Sequence, residues 1–247
     1  MLIGPEECRR VGERVFSLTD ADDAVALGLA LASPEIDLRA ITVVSGDVLL
    51  RARTGKKLLC LGGRADVPVY PGRSDPITAG QSFLWLGHEG KGIVGDDQEQ
   101  LAVEARSAVD VLADQVPAQA RHLLAIGPLT NIAAALSRRP ALAGSIARLT
   151  LMGGVLGISG DPTTPSVEYN LGSDPEASAV VLNAGIPATI VPLDVTWQAR
   201  LRTKELARLR RSRSPLVQVL CDAMEIWWGV HRELFAGKRA QHNNMIT

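Results

Sequence analysis

The chain alternates. Short segments rich in β-branched residues recur along it, and most lead into a stretch that reads as helix. Residues 14–18 read as a first strand and run into an Ala- and Leu-rich helix over 22–32. Ser33-Pro34 stops that helix, because proline disfavours helix in the residue before it. Residues 38–44 form a second strand, which turns at Ser45-Gly46-Asp47. A helix over 48–61 ends at Gly62-Gly63. Strand 67–70 follows, then a long polar loop, 72–100, and a helix over 102–115. Strand 122–126 passes through Gly127-Pro128-Leu129-Thr130-Asn131 into another helix. Strand 148–152 ends in Gly153-Gly154, and a second long loop covers 155–172. Ser173-Asp174-Pro175-Glu176 reads as a capping box with proline in the first turn. Strand 187–194, a basic and solvated helix over 203–212, and a long amphipathic helix over 215–235 complete the series. This alternation predicts an α/β fold, a mainly parallel sheet with helices on both faces.

With 247 residues, no internal repeat and no low-complexity linker, the expectation is a single domain over residues 1–247. A hydrophobic share of 46% and a charged share of 21% are those of an ordinary globular chain. The net charge of −1 gives no electrostatic case for nucleic acid or a membrane surface. No apolar run approaches the roughly 20 residues that span a bilayer. Glu6, Glu7, Arg9, Arg10, Glu13 and Arg14 argue against a signal peptide. Cys8, Cys60 and Cys221 are far apart, which predicts a reducing compartment and no disulfide framework. The expected location is the cytoplasm.

In open α/β sheets, ligands bind at the carboxyl ends of the strands. The polar residues of interest fall there: Asp20 to Asp23, Ser45 to Asp47, Ile126 to Asn131, and Met152 onward. Asp20, Asp22 and Asp23 place three carboxylates within four residues, and like charges so close repel unless a cation sits among them. They also precede a helix, whose dipole favours negative charge. Two readings follow: a solvated helix cap, or oxygen ligands for a hard cation such as calcium or magnesium. Other chemistries lack their signatures. Gly154, Gly157 and Gly160 lack the close first pair of a dinucleotide fingerprint. His88, His122, His231 and His242 show no metal spacing. A magnesium phosphohydrolase would need basic residues in the same loops, and only Lys91 is near.

Read in order, several segments match one family. They are Thr19-Asp20-Ala21-Asp22-Asp23-Ala24, residues 40–48, Asp66 to Gly72, Gly87-His88-Glu89-Gly90, Ile126 to Asn131, Leu151 to Gly154, and Glu168 to Ala177. From about Thr19 to about His242 the chain resembles the inosine–uridine-preferring nucleoside hydrolases. The resemblance implies calcium-assisted hydrolysis of the N-glycosidic bond of ribonucleosides, through an oxocarbenium-like ribosyl state. It implies that Asp22 and Asp47 bind substrate, that Glu168 and Asn170 clamp the ribose, that Met152 packs on the sugar and that His88 lies near the base. It implies metal ligation by Asp23 and by the backbone carbonyl of Ile126. It also implies a homo-oligomer, a dimer or tetramer. Outside the family, Met152 reads as core, His88 as merely exposed, and Glu168 and Asn170 as residues that order their own loop.

The resemblance departs at both ends. The family's motif begins D-x-D-x-G, and residues 14–18 hold neither aspartate. Asp20 is the candidate proton acceptor in their stead. Gln241-His242-Asn243-Asn244 stands where the family has His-Asp-Pro, so His242 takes the catalytic position and Asn243 the place of a metal-binding aspartate. The family's last few dozen residues are expected to be missing beyond Thr247. These departures leave a second expectation: an inactive homologue that binds nucleoside or ribose, or an assembly subunit.

Overall fold

The computed structural model describes residues 14–16, 21–83, 89–95, 98–114, 121–158, 166–199 and 201–234. Strand β1 (Arg14–Phe16) leads to α1 (Ala21–Ala32), β2 (Leu38–Thr42), α2 (Val48–Leu61) and β3 (Val69–Tyr70). The chain continues through α3 (Ala108–Asp114), β4 (Arg121–Ala125), α4 (Thr130–Arg138) and β5 (Ile146–Met152). Then come α5 (Tyr169–Gly172), α6 (Pro175–Leu182), β6 (Ala188–Val191), α7 (Leu193–Thr196), α8 (Thr203–Leu209) and α9 (Pro215–Leu234).

The strands pair in two ladders, β1–β2–β3 and β4–β5–β6, and every described pair is parallel. β1 packs beside β4. Across the molecule the order is therefore β3, β2, β1, β4, β5, β6, and the chain moves outward from the centre twice, in opposite directions. Right-handed crossovers then place α1 and α2 on one face and α4 and α6 on the other. The packing agrees: α1, α2 and α9 contact one another, as do α3, α4 and α6 through α4. Each group has its own core. Leu27, Ile41, Leu58 and Val69 pack with Leu220 and Met224 of α9. Leu123, Leu149, Leu151, Leu136 and Val181 form the other. Gly28 allows α9 to approach α1, since a Cβ there would lie 2.6 Å from Leu220 Cδ1. Among the described residues no helix is long and apolar enough to cross a membrane.

Four expectations are corrected. The helix expected over 102–115 begins only at Ala108. The stretch before it is held along β3 instead: Glu104 N–H donates to the Val69 carbonyl at 2.9 Å and Ala108 N–H to Pro71 at 2.8 Å. The strand expected over 187–194 ends at Val191, because Pro192 has no N–H for the ladder, and Asp194 lies on α7. The loop 155–172 contains a helical turn, α5, which Glu168 starts with its own side chain. The cap of α6 is Asp174 rather than Ser173, with Pro175 at the first position. The solvated helix α8 matches its expectation, with only Leu206 buried.

Candidate active site

Strand order reverses between β1 and β4, and such a reversal opens a crevice at the carboxyl edge. Two expected segments flank it. Asp22 and Asp23 lie in the first turn of α1, where the helix dipole favours their charge. Asp23 is only 6% exposed, and Asp22 is half-buried. From the other side, β4 ends at Ala125 and the chain turns through Ile126 to Thr130 and Asn131, both buried at the start of α4.

Asn131 ties the two ladders together. Its Nδ2 donates to the Val43 carbonyl at 2.9 Å, beyond β2, and its Oδ1 accepts from Arg73 N–H at 2.9 Å, beyond β3. Gly72 is required beneath it, because a Cβ there would overlap both the Asn131 amide and the Val43 carbonyl.

Asn170 performs the corresponding task between β4 and β5. Its Nδ2 lies 3.1 Å from the Ile126 carbonyl, 3.1 Å from the Met152 carbonyl and 3.2 Å from the Met152 sulfur. Glu168 holds Asn170 there. One carboxylate oxygen accepts from Asn170 N–H at 2.6 Å, and the other from Leu171 N–H at 3.0 Å and Gly154 N–H at 2.9 Å. The approach to Gly154 depends on the Gly153-Gly154 pair: a Cβ at 153 would sit 2.8 Å from Leu171, and Gly154 has φ +75°. Four residues singled out by sequence, Ile126, Met152, Glu168 and Asn170, are thus joined in one hydrogen-bonded group. That group orders its loop.

Asp174 is fully buried and binds three segments. Oδ2 accepts from Ile77 N–H at 2.8 Å and the Thr130 hydroxyl at 2.6 Å. Oδ1 accepts from Thr78 N–H at 3.1 Å, the Thr78 hydroxyl at 2.8 Å and Ala177 N–H at 3.3 Å. Burial alone would push this carboxyl up, but the donors outweigh it and hold it below the usual carboxylate range.

The β2 end differs. Asp47 is exposed and caps α2, accepting from Leu50 N–H at 2.9 Å. Ser45 is fully buried, has φ +79° and leaves its hydroxyl without a partner among the described residues. It is the one non-glycine residue with positive φ among the described residues. Backbone strain of this kind gathers at binding sites.

Asp20, His88, His242 and Asn243 lie outside the described residues. Two buried acids take no catalytic, substrate or metal role from the sequence, Asp174 being read only at a helix start and Asp194 only at a strand end. Asp174 and Asp194 are buried at 0% and 1% exposure and bind loop amides. Asp194 meets the criterion that selected Asp20 to Asp23, an acid just past a strand's carboxyl end, but reading it as the strand's last residue hid that.

The donors at the crevice are oxygens, a carboxylate at Asp23 and a carbonyl at Ile126, which is the ligand chemistry of a hard cation. The Ile126 carbonyl has two lone pairs, of which Asn170 engages one. Among the described residues no three His, Cys, Asp or Glu gather into a metal cluster. Asp23 and Ile126 fit a hard cation in kind.

A family model described as inosine–uridine preferring nucleoside hydrolase matches residues 19–247. A pyrimidine-specific ribonucleoside hydrolase of Salmonella arizonae is 33% identical over 218 residues, 86% of this chain and 70% of the relative. A purine-preferring ribonucleoside hydrolase from Gardnerella vaginalis superposes with a TM-score of 0.77 at 30% identity, covering 92% of this chain and 75% of that one. A plant nucleoside hydrolase superposes with a TM-score of 0.74 at 28% identity, over 91% and 73%. The parallel fold and these matches agree: the chain belongs to the inosine–uridine-preferring nucleoside hydrolase family, hydrolases acting on the N-glycosyl bond of ribonucleosides.

Proposed function

We propose that the carboxyl edge between β1 and β4 is the ribosyl site of a calcium-assisted ribonucleoside hydrolase. The observation that carries this reading is the reversal of strand order there, flanked by Asp22 and Asp23 on one side and Ile126 on the other. Cleavage of an N-glycosidic bond builds positive charge on the ribosyl ring. Carboxylates already fixed at a helix start stabilise that charge without reorganising. Asp22 accepts hydrogen bonds from ribose hydroxyls, as does Asp47. Met152 offers an apolar surface to the sugar, and Asn170 and Glu168 fix the wall on which the ribose rests. Asp20 takes the proton from the attacking water, while His88 and His242 serve the base. When bound by Asp23, Ile126 and Asn243, calcium supplies a water of lowered pKa.

The base is the finer question. The Salmonella relative is named pyrimidine-specific and the Gardnerella neighbour purine-preferring, so uridine, cytidine and inosine form the first panel. The test is release of ribose from each, after EDTA and after calcium is restored. Release that EDTA abolishes and calcium recovers is expected. Turnover indifferent to EDTA would remove the metal from the reading. Ribose binding without turnover would favour the inactive homologue, to which the internal bonding of the Glu168 carboxylate lends support. The same reading puts the protein in the cytoplasm as a dimer or tetramer, which sedimentation velocity on the purified protein checks for assembly.

A further inference from the structure

Beyond β5 the chain is clamped from two sides. On one flank Glu168 accepts from Gly154 N–H, and Asn170 donates to the Met152 carbonyl. On the other flank stands the end of β6. Gly153 N–H donates to the Val191 carbonyl at 3.1 Å, and Leu193 N–H donates to the Gly154 carbonyl at 2.8 Å. The chain then turns at Pro192 into α7, which presents Asp194. Its carboxylate, 1% exposed, accepts from Leu156 N–H at 2.7 Å through Oδ2 and from Ile158 N–H at 2.8 Å through Oδ1. The Leu156 and Ile158 side chains are 68% and 71% exposed. Apolar packing therefore does not fix this loop. The buried carboxylate does, through two short charge-assisted bonds.

We infer that Asp194 is a positioning residue for the ribosyl site. It sets the path of residues 154–158 and, through Gly154, the seat of Glu168 and Asn170. It reaches no substrate itself. The inference rests on the reading of the site given under Proposed function. A carboxylate with both oxygens engaged by amides cannot be replaced by an amide without loss. Asp194→Asn keeps the shape but turns an N–H₂ toward one of the two N–H donors.

The test compares Asp194→Asn with the unaltered chain in three readouts: steady-state kinetics on the preferred nucleoside, calorimetric binding of free ribose, and amide hydrogen exchange. The expected result is a rise of about ten-fold in KM and in the ribose Kd, with a smaller fall in kcat. Exchange should quicken at Leu156 and Ile158 and stay slow at Leu149 and Leu151 in β5. Faster loop exchange with unchanged ribose Kd and KM would overturn the inference, since Asp194 would then be structural only. Should the variant fail to fold, the unaltered chain decides. Saturating ribose should slow exchange at Leu156 and Ile158, and unchanged exchange there overturns the inference. An unaltered chain that neither binds ribose nor releases it overturns both the site reading and the role of Asp194. Turnover in the unaltered chain with no effect of Asp194→Asn overturns the second alone.

Discussion

The two halves of the sheet edge are built differently. Beyond β4, β5 and β6, the buried acids Asp174, Glu168 and Asp194 spend their oxygens on backbone amides and on the Thr78 and Thr130 hydroxyls. They bind the chain to itself. Beyond β1 and β2, two carboxylates, each with an interaction of its own inside the fold, crowd the first turn of α1, Asp47 caps α2 in the open, and Ser45 is strained with a buried hydroxyl that has no partner among the described residues. A buried carboxylate with both oxygens engaged by donors of the fold serves as scaffold, because a ligand would have to compete with bonds worth about 1.5–3 kcal/mol each. Charge crowded at a helix start and strain at a strand end are what a ligand can relieve. On the site reading proposed above, the difference separates the wall of the site from its chemistry.

The sharpest division should come from paired substitutions. Asp23→Asn is expected to lower kcat/KM on the order of 10²–10³-fold, the cost of removing one preorganised electrostatic group. Urea unfolding should move far less. An Asp23→Asn protein with full turnover would break the assignment of chemistry to the first half.

Asp174→Ala should do the reverse. It leaves the Thr130 hydroxyl and the Ile77 and Thr78 amides without their acceptor inside the fold, at a cost of roughly 3–5 kcal/mol summed over those donors. The urea midpoint falls with an unchanged slope. Its pH dependence has a definite sign. The folded-state carboxyl is held below its unfolded value of about 3.9, so its contribution is complete above that pH. It is lost as pH falls through the depressed folded value. Stability of the unaltered chain should drop below about pH 4 more steeply than that of Asp174→Ala, and parallel curves would deny the carboxyl that role.

Gly72→Ala probes the join between the halves. The new methyl must displace the Asn131 amide from the Val43 carbonyl, an overpacking expected to cost about 1–3 kcal/mol. Because Asn131 spans both ladders, the loss should appear in the cooperativity of unfolding as well as in the midpoint. An unchanged midpoint would mean that the ladders hold together without Asn131.

The order of strands and helices was legible because each β-branched run is short and each helix carries its own stop signal, as at Ser33-Pro34 and Gly62-Gly63. What failed was decided by distant partners. Residues 102–107 have helical composition, yet Glu104 bonds to Val69 across a loop, which no local pattern encodes. Asp194 read as a strand end because nothing adjacent shows that its partners are Leu156 and Ile158, 38 and 36 residues away. Within the site, the motif order identified Ile126, Met152, Glu168 and Asn170, which the fold joins, and sequence alone left open whether Glu168 and Asn170 hold a ribose or order their own loop. The structure shows the loop ordered by them. Fold and loop order followed from local patterns, whereas the buried carboxylates that fix the loops are products of tertiary contact.

The smallest effect concerns Ser45, and it tests whether strain distinguishes the first half at all. A left-handed backbone costs a non-glycine residue about 1–2 kcal/mol, and a buried hydroxyl without a partner adds to that. Ser45→Gly removes both costs, while glycine's freedom in the unfolded chain returns roughly 0.5–1 kcal/mol. The net expectation is a stabilisation of about 1 kcal/mol, read as a higher urea midpoint. Ser45→Ala keeps the backbone strain and removes only the hydroxyl, so the difference between the two variants is the strain less glycine's unfolded-chain freedom. If Ser45→Gly is instead destabilising, the hydroxyl is satisfied in solution, for instance by an internal water, and the two halves are alike in their bonding. If it is stabilising and raises KM, the strain is held in place for the ligand, as expected where a strained residue stands beyond the carboxyl end of an interior strand.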